Sequence, residues 1–229
     1  MVGVISLSLA SIVDRIAAAL DLGTRRIQIS LPSWGALDGD ETLRFFDIVL
    51  GRFPDVEFMH YNAPRAKRLV TPEEYARIAI DHPNLVATKN MTDSMARVRG
   101  LLAKAPMLRH FLSESGYTFG SQIGECGLLV SVATTNATTA RAFYDAGRAG
   151  DVATLCRYQG ELQAMAATLI RLASDGERID SAYDKVLWRV HDPTFPLRLL
   201  PPYTAARPTA AEEFVAFLRE TYPHWAPEN

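Results

Sequence analysis

A chain of 229 residues, 48% hydrophobic and 22% charged, is long enough to bury a sizeable core and has the balance of a soluble globular protein. A formal net charge of −2, with no basic run gathered on one segment, argues against nucleic acid and against membrane surfaces as partners. The two cysteines, Cys126 and Cys156, have no metal-ligand spacing and fit a reducing, cytoplasmic compartment, and no stretch is long and apolar enough to span a bilayer.

The chain opens on M-V-G-V-I-S-L, which has no basic flank and passes at once into an amphipathic pattern, so Val2 to Leu7 reads as a strand and not as a targeting peptide. Ser11 opens a helix through Leu22, closed by Gly23, and Arg26 to Leu31 is a second strand. After the loop P-S-W-G-A-L-D-G-D comes a helix from about Asp40 to Leu50. Val56 to Tyr61 is the third strand. Thr71-Pro72-Glu73-Glu74 combines an N-cap, proline at the first helical position and acids in the first turn. Leu85 to Thr88 is the fourth strand, and Thr92 opens the next helix. Met107 to Ser113 is the fifth, followed by a short helix around Phe119 to Gly124. Gly127 to Ser131 is the sixth. Helices then dominate, over Ala137 to Ala146, Asp151 to Ala173, Ser181 to Val190 and, past a proline-rich connection, Ala210 to Tyr222.

Six consecutive β-then-α units predict a parallel sheet with right-handed crossovers, either doubly wound or closed as a (β/α)8 barrel. The absence of a G-x-G-x-x-G or a phosphate loop after the first strand favours the α/β barrel of TIM type. In either case Tyr61 and Lys89 end neighbouring strands, placing a phenol and an amine side by side at the mouth of the sheet. The lysines are few: Lys67 lies in a polar loop, Lys104 ends a helix, Lys185 follows Asp184 in a helix, and Lys89 alone ends a buried-looking strand. The bland alternatives are a lysine snorkelling to water and a core tyrosine with a bonded hydroxyl. The histidines (60, 82, 110, 191 and 224) show no paired spacing for a metal, and His60 should point to the side of its strand opposite Tyr61. No cofactor is implied.

The motifs Y-N-A-P at 61–64 and V-A-T-K at 86–89 resemble the dihydrodipicolinate synthase/N-acetylneuraminate lyase family of pyruvate-dependent class I aldolases, which are (β/α)8 barrels with extra C-terminal helices. V-G-V-I-S-L is similar to the third unit of that barrel, I-S-L-P-S-W to the fourth, L-S-E-S-G to the seventh strand end and G-E-C-G-L-L-V-S-V to the eighth. The resemblance implies that Lys89 forms a Schiff base with a 2-keto acid and Tyr61 moves protons. It also implies that the backbone at Val130 and Ser131 flanks the imine and that Ser113, Glu114 and Trp34 lie toward substrate. Thr135 or Asn136 is the cap of the following helix.

Compared with the family, the two opening βα units have no counterpart, roughly 60 to 70 residues at about 30 per unit, including the Gly-Thr-Thr-type loop that binds the pyruvate carboxylate. The arginine that dihydrodipicolinate synthases carry two residues past the proline of Y-N-x-P is replaced by Ala66, between Arg65 and Lys67, and Ser33 and Trp34 stand where the family has a tyrosine-bearing loop. These departures turn the expectation from lysine-pathway synthesis toward a lyase for a sugar-acid type or other 2-keto acid and an aldehyde. The alternatives are a dehydratase or hydratase using the same imine, and a catalytically impaired barrel serving as a binding or oligomeric scaffold. The expected division is residues 1–147 for six barrel units, equivalent to strands three to eight, and 148–229 for a helical extension. Open parallel edges, together with the family's habits, point to a homo-oligomer, dimer or tetramer.

Overall fold

The computed structural model of the chain describes residues 1–228, which pack into two compact units, one over Met1–Leu129 and one from Val130 onward. In the first unit, strands β1 (Val2–Gly3), β2 (Arg26–Ile29), β3 (Glu57–Asn62), β4 (Leu85–Asn90), β5 (Arg109–Leu112) and β6 (Gly127–Leu128) form one sheet in sequential order, every pair parallel. Helices α1 (Leu9–Asp21), α2 (Gly39–Arg52), α3 (Pro72–Asp81), α4 (Met95–Lys104) and α5 (Glu114–Gly120) make the crossovers. Sequential order with right-handed crossovers puts all the helices on one face, whereas a doubly wound sheet reverses its order at a switch point. The unit is therefore barrel-type, with six of the eight βα units present and β1 and β6 as edges.

Local chemistry explains where the helices start. From α1 to α5 each N-cap is a side-chain oxygen: Ser8, Asp38, Thr71, Ser94 and Ser113 accept from a backbone N–H in the first turn. Asp38 with Glu41 and Thr71 with Glu74 close reciprocal capping boxes, and Pro72 sits at the first helical position. Alternation along the strands then buries Ile27, Ile29, Phe58, His60 and Leu112, as Ile12, Ile16, Phe46, Val49, Tyr75 and Leu101 are buried on the helices, with His60 against Phe46 and Tyr75.

The second unit holds α6 (Ala137–Ala149), α7 (Val152–Ala173), α8 (Asp180–Arg189) and α9 (Ala210–Thr221). Asn136 caps α6 and Asp151 caps α7. The segment after α9 is stapled back on this bundle. Trp225, fully buried, donates its indole N–H to Glu161 at 2.8 Å, His224 Nε2 bonds the same carboxylate at 2.7 Å, and Asn136 donates to the Ala226 carbonyl at 2.8 Å. Burial alone would raise the Glu161 pKa, but the bonds from His224, Trp225 and Arg157 outweigh it and hold the carboxyl below its usual range.

Several elements differ in extent from those the sequence predicts. The expected helix at Phe119–Gly124 is α5 at Glu114–Gly120, because the Ser113 hydroxyl accepts from Gly116 N and starts the helix earlier in the chain. The helix expected to open at Thr92 begins at Met95: Ser94 is its cap, and Thr92 Oγ1 instead accepts from Ser94 N at 3.1 Å. β1 and β6 are only two residues long. At these edges each strand has a single neighbour, so the ladder ends where that neighbour turns away, although Val4 N still donates to Gln28 O and Leu129 N to Leu112 O.

The last strand pair is sterically tight. A Cβ at Gly127 would lie 2.5 Å from the Phe111 ring. Gly127→Ala should destabilise the fold by about 1–3 kcal/mol through overpacking, read as a lower urea midpoint at unchanged m-value. A midpoint equal to the native one would show that the ring moves aside freely.

Candidate active site

Strands β3 and β4 bring the two residues singled out by the sequence into register: Tyr61 pairs with Lys89, and the Lys89 amine lies over the Tyr61 ring, 4.4 Å from its centroid. The row continues across the sheet through Phe111 to Gly127. Its side chains are half-buried and face away from the helices, and they line the surface that is the interior of a barrel. An ammonium over an aromatic face is attracted by the ring quadrupole, so this contact fixes where the amine rests. Ser30 donates to the Tyr61 carbonyl at 3.0 Å and ties the end of β3 to the chain leaving β2.

The register depends on an irregularity that the sequence did not reveal. Phe58 pairs with Leu85, but Met59 pairs with Ala87, so Val86 is an extra residue in β4. Side chains alternate along a strand, and one inserted residue exchanges the two faces from there on. Without it, continued pairing would set Lys89 opposite Asn62, on the helix-covered side. The burial sequence of β4, with Ala87 and Thr88 both buried in succession, records the shift.

Behind the reactive row, on the helix-covered face, lies a polar ladder. Asn62 Nδ2 donates to Asn90 Oδ1 at 3.0 Å, Asn90 Nδ2 donates to Thr88 Oγ1 at 2.8 Å, and Thr88 and His110 Nδ1 are 2.7 Å apart. His110 Nε2 lies 2.9 Å from the Ala105 carbonyl, which only accepts. The proton is therefore on Nε2, and Nδ1 accepts from the Thr88 hydroxyl. Burial lowers the His110 pKa, which suits this neutral form. At the other end Asn62 grips both the amide and the carbonyl of Val70, at 2.9 and 3.0 Å, and Arg97 donates to the same carbonyl. All four side chains are buried, and leaving one donor or acceptor unmet there costs about 1–3 kcal/mol. Their sequence signal was slight: Asn directly after Tyr61 and after Lys89, and a polar Thr88 within an apolar run.

His60 points away from Tyr61, as alternation requires, and its Nδ1 meets the Tyr75 hydroxyl at 2.6 Å with Phe46 edge-on to the ring. Its Nε2 has no hydrogen-bond partner among the described residues.

The remaining candidates divide. Ser113 caps α5 and donates to the Thr92 carbonyl at 3.1 Å, and Glu114, half-buried, is the first residue of that helix. Trp34 is 80% exposed, and its carbonyl accepts from Lys67 at 2.9 Å. Val130 and Ser131 open the second unit. Both are exposed, and the Ser131 carbonyl accepts from Thr134 N at 3.1 Å in the turn that precedes α6. Of the other lysines, Lys104 pairs with Glu73, and Lys185 donates to the Pro196 carbonyl. Among the described residues no group of three or more His, Cys, Asp or Glu is arranged to hold a metal ion, and no helix is long and apolar enough to cross a membrane.

The sequence matches the dihydrodipicolinate synthetase family over residues 2–200. No curated protein matches it. Solved structures do. YagE, a prophage protein of the dihydrodipicolinic acid synthase family from E. coli K12, crystallised with pyruvate, aligns at TM-score 0.79 and 18% identity over 95% of this chain and 73% of its own. Dihydrodipicolinate synthase from Aquifex aeolicus aligns at TM-score 0.80 and 15% identity over 100% of this chain and 76% of its own. A putative family member from Coccidioides immitis gives 0.75 and 20%, over 97% and 72%.

Buried His60 gives the fold an acid limb. Unfolded chains take up this proton near 6.5, whereas burial lowers the folded value to about 3. Its contribution is therefore fully present above 6.5 and is lost as pH falls through that window, at no more than about 1.4 kcal/mol per pH unit. His60→Gln should flatten the fall of the urea midpoint between pH 6.5 and 3. An unchanged slope would mean that other groups set it.

Proposed function

The chain belongs to the dihydrodipicolinate synthetase family, a family of lyases, and on that premise we propose that it is a Schiff-base-forming class I lyase for pyruvate or another 2-keto acid, with Lys89 as the imine-forming nucleophile and Tyr61 as the proton carrier. The observation that carries this reading is the cross-strand pair itself, with the amine held 4.4 Å from the centre of the phenol ring on the barrel-interior face. Strand ends at the mouth of such a sheet are where barrel chemistry is done.

In this reading the lone pair of the deprotonated amine adds to the 2-carbonyl carbon, and the carbonyl oxygen leaves as water. The protonated imine then accepts the electron pair released when a proton is lost from C3, giving an enamine. The enamine carbon attacks an aldehyde carbon, or in the reverse sense a C–C bond breaks and an aldehyde departs, and water returns to free the lysine. In forming the imine the oxygen takes one proton from the amine nitrogen and a second as it leaves as water, and the later steps each move a proton to or from carbon or the aldehyde oxygen, the task of a positioned phenol. Phe111, paired with Lys89 and packed on Gly127, gives this row an apolar wall. A sugar-acid type substrate fits best with Ala66 in place of a second guanidinium and with Ser33 and Trp34 in the loop after β2. We place the protein in the cytoplasm as a homo-oligomer; a dehydratase using the same imine differs only in its products.

A second reading is favoured by one observation. The sheet has two parallel edges, β1 and β6, each free to pair with another chain, which suits a barrel-derived binding or oligomeric scaffold. Incubation with pyruvate and borohydride separates the two. The lyase reading expects an irreversible pyruvate-derived mass addition mapping to Lys89, absent from Lys89→Ala and slowed about 100-fold in Tyr61→Phe. A folded native sample that takes up no adduct would leave the scaffold reading standing.

A further inference from the structure

We propose that Asn62 and Asn90 are positioning residues for the reactive pair: their buried carboxamide hydrogen bond holds the ends of β3 and β4 in the register that keeps the Lys89 amine over the Tyr61 ring. The inference rests on the imine chemistry of Lys89 for its readout, and on geometry for its content.

Each asparagine directly follows a reactive residue. They are 3% and 1% exposed and meet at 3.0 Å on the face opposite the amine. Asn62 with Asn90 is also the last pair in the β3–β4 ladder. Past this point the backbones diverge: Ala63 N turns back to the Tyr61 carbonyl, and the Asn90 carbonyl accepts from Ser113 N on the next strand's exit. The main-chain ladder therefore ends one residue past the reactive pair, and the side-chain bond is a second tie at its last rung.

The ends of the connection are anchored on both sides. Asn62 is doubly bonded to Val70 in the segment leading to α3, and Asn90 continues through Thr88 and His110 to the Ala105 carbonyl at the end of α4. A carboxamide at 90 is required by the directions of the bonds: it must accept from Asn62 and donate to Thr88, because the Thr88 proton is used by His110. Aspartate keeps the first bond and loses the second, and serine cannot span to Asn62 at all. The two helix ends thus fix the angle at which the β3 and β4 mouths meet, and a misplacement of about 1 Å at reacting groups can cost about 100-fold in rate.

The test measures pyruvate–borohydride trapping at Lys89 in the native chain, Asn62→Ala, Asn90→Ala and the double variant, at a temperature where far-UV circular dichroism shows all of them folded. The maximum trapping rate should fall about tenfold or more in each single variant, with the half-saturating pyruvate concentration little changed. The double variant should be no slower than the slower single one, the non-additivity expected of one shared contact. Asn90→Asp, nearly isosteric, keeps the bond from Asn62 but loses the donor to Thr88 and adds a negative charge near the amine, so its maximum rate should rise part of the way from that of Asn90→Ala toward native as the pH is raised; the alanine variants should not recover. If an alanine variant does not fold, Asn62→Ser and Asn90→Ser replace it with the same expectation. Rates within about threefold of native in the folded single variants, additive losses, or an Asn90→Asp enzyme that stays slow at every pH would each overturn the clamp. A native chain without adduct would instead overturn the imine reading, and the catalytic role of the clamp with it.

Discussion

One extra residue in β4 governs the site. Strand side chains alternate with a period of two, so register alone decides whether a side chain faces the helices or the barrel interior. The insertion of Val86 between the Phe58–Leu85 and Met59–Ala87 pairs sets the parity of everything after it. Lys89 thereby shares a face with Tyr61, and Thr88 and Asn90 share the opposite face with His60 and Asn62. Bulges between parallel strands are rare, and a bulged residue three positions before Lys89 is the kind of device that re-aims side chains next to active sites.

The two faces obey different physical rules. On the interior face, Tyr61, Lys89 and Phe111 are half-buried, so an amine and a phenol keep some hydration and remain chemically available. On the helix-covered face a polar group is tolerated only when its hydrogen bonds are met, and Asn62, Asn90, Thr88 and His110 meet theirs from one another and from two main-chain segments. His60 is the exception, with one nitrogen bonded to Tyr75 and the other without a partner among the described residues, and burial keeps it neutral down to about pH 3. The interior is thus built from helix caps and strand parity, and the polar ladder couples that interior to the strand ends.

Much of this was legible in the residues. Thr71-Pro72-Glu73-Glu74 announced α3 because a capping box and a first-turn proline are local chemistry, and Asn136 capped α6 for the same reason. The sequential parallel sheet followed from six alternating patterns, and His60 turned away from Tyr61 as alternation demands. Other features were not legible. The start of α5 lay in a stretch with two glycines, Gly116 and Gly120, where propensity is weak and only the Ser113 cap decides the boundary. The Asn62–Asn90 contact joins residues on different strands, and no local signal marks a cross-strand partner. Lys104 and Lys67 looked like ordinary surface lysines, and their bonds to Glu73 and to the Trp34 carbonyl depend on segments distant in sequence.

By itself the sequence determined the order of the elements, the caps of α3 and α6 and the presence of a tyrosine and a lysine at successive strand ends, because each of these is set by chemistry within a few residues. It did not determine which way Lys89 faces: L-V-A-T-K is a run without alternation, and both parities bury it equally well. That choice was made by pairing with β3, where the bulge at Val86 and the carboxamide bond at the last rung of the ladder accompany an amine seated over the ring. Register is a property of two strands together, so only the tertiary structure could decide it.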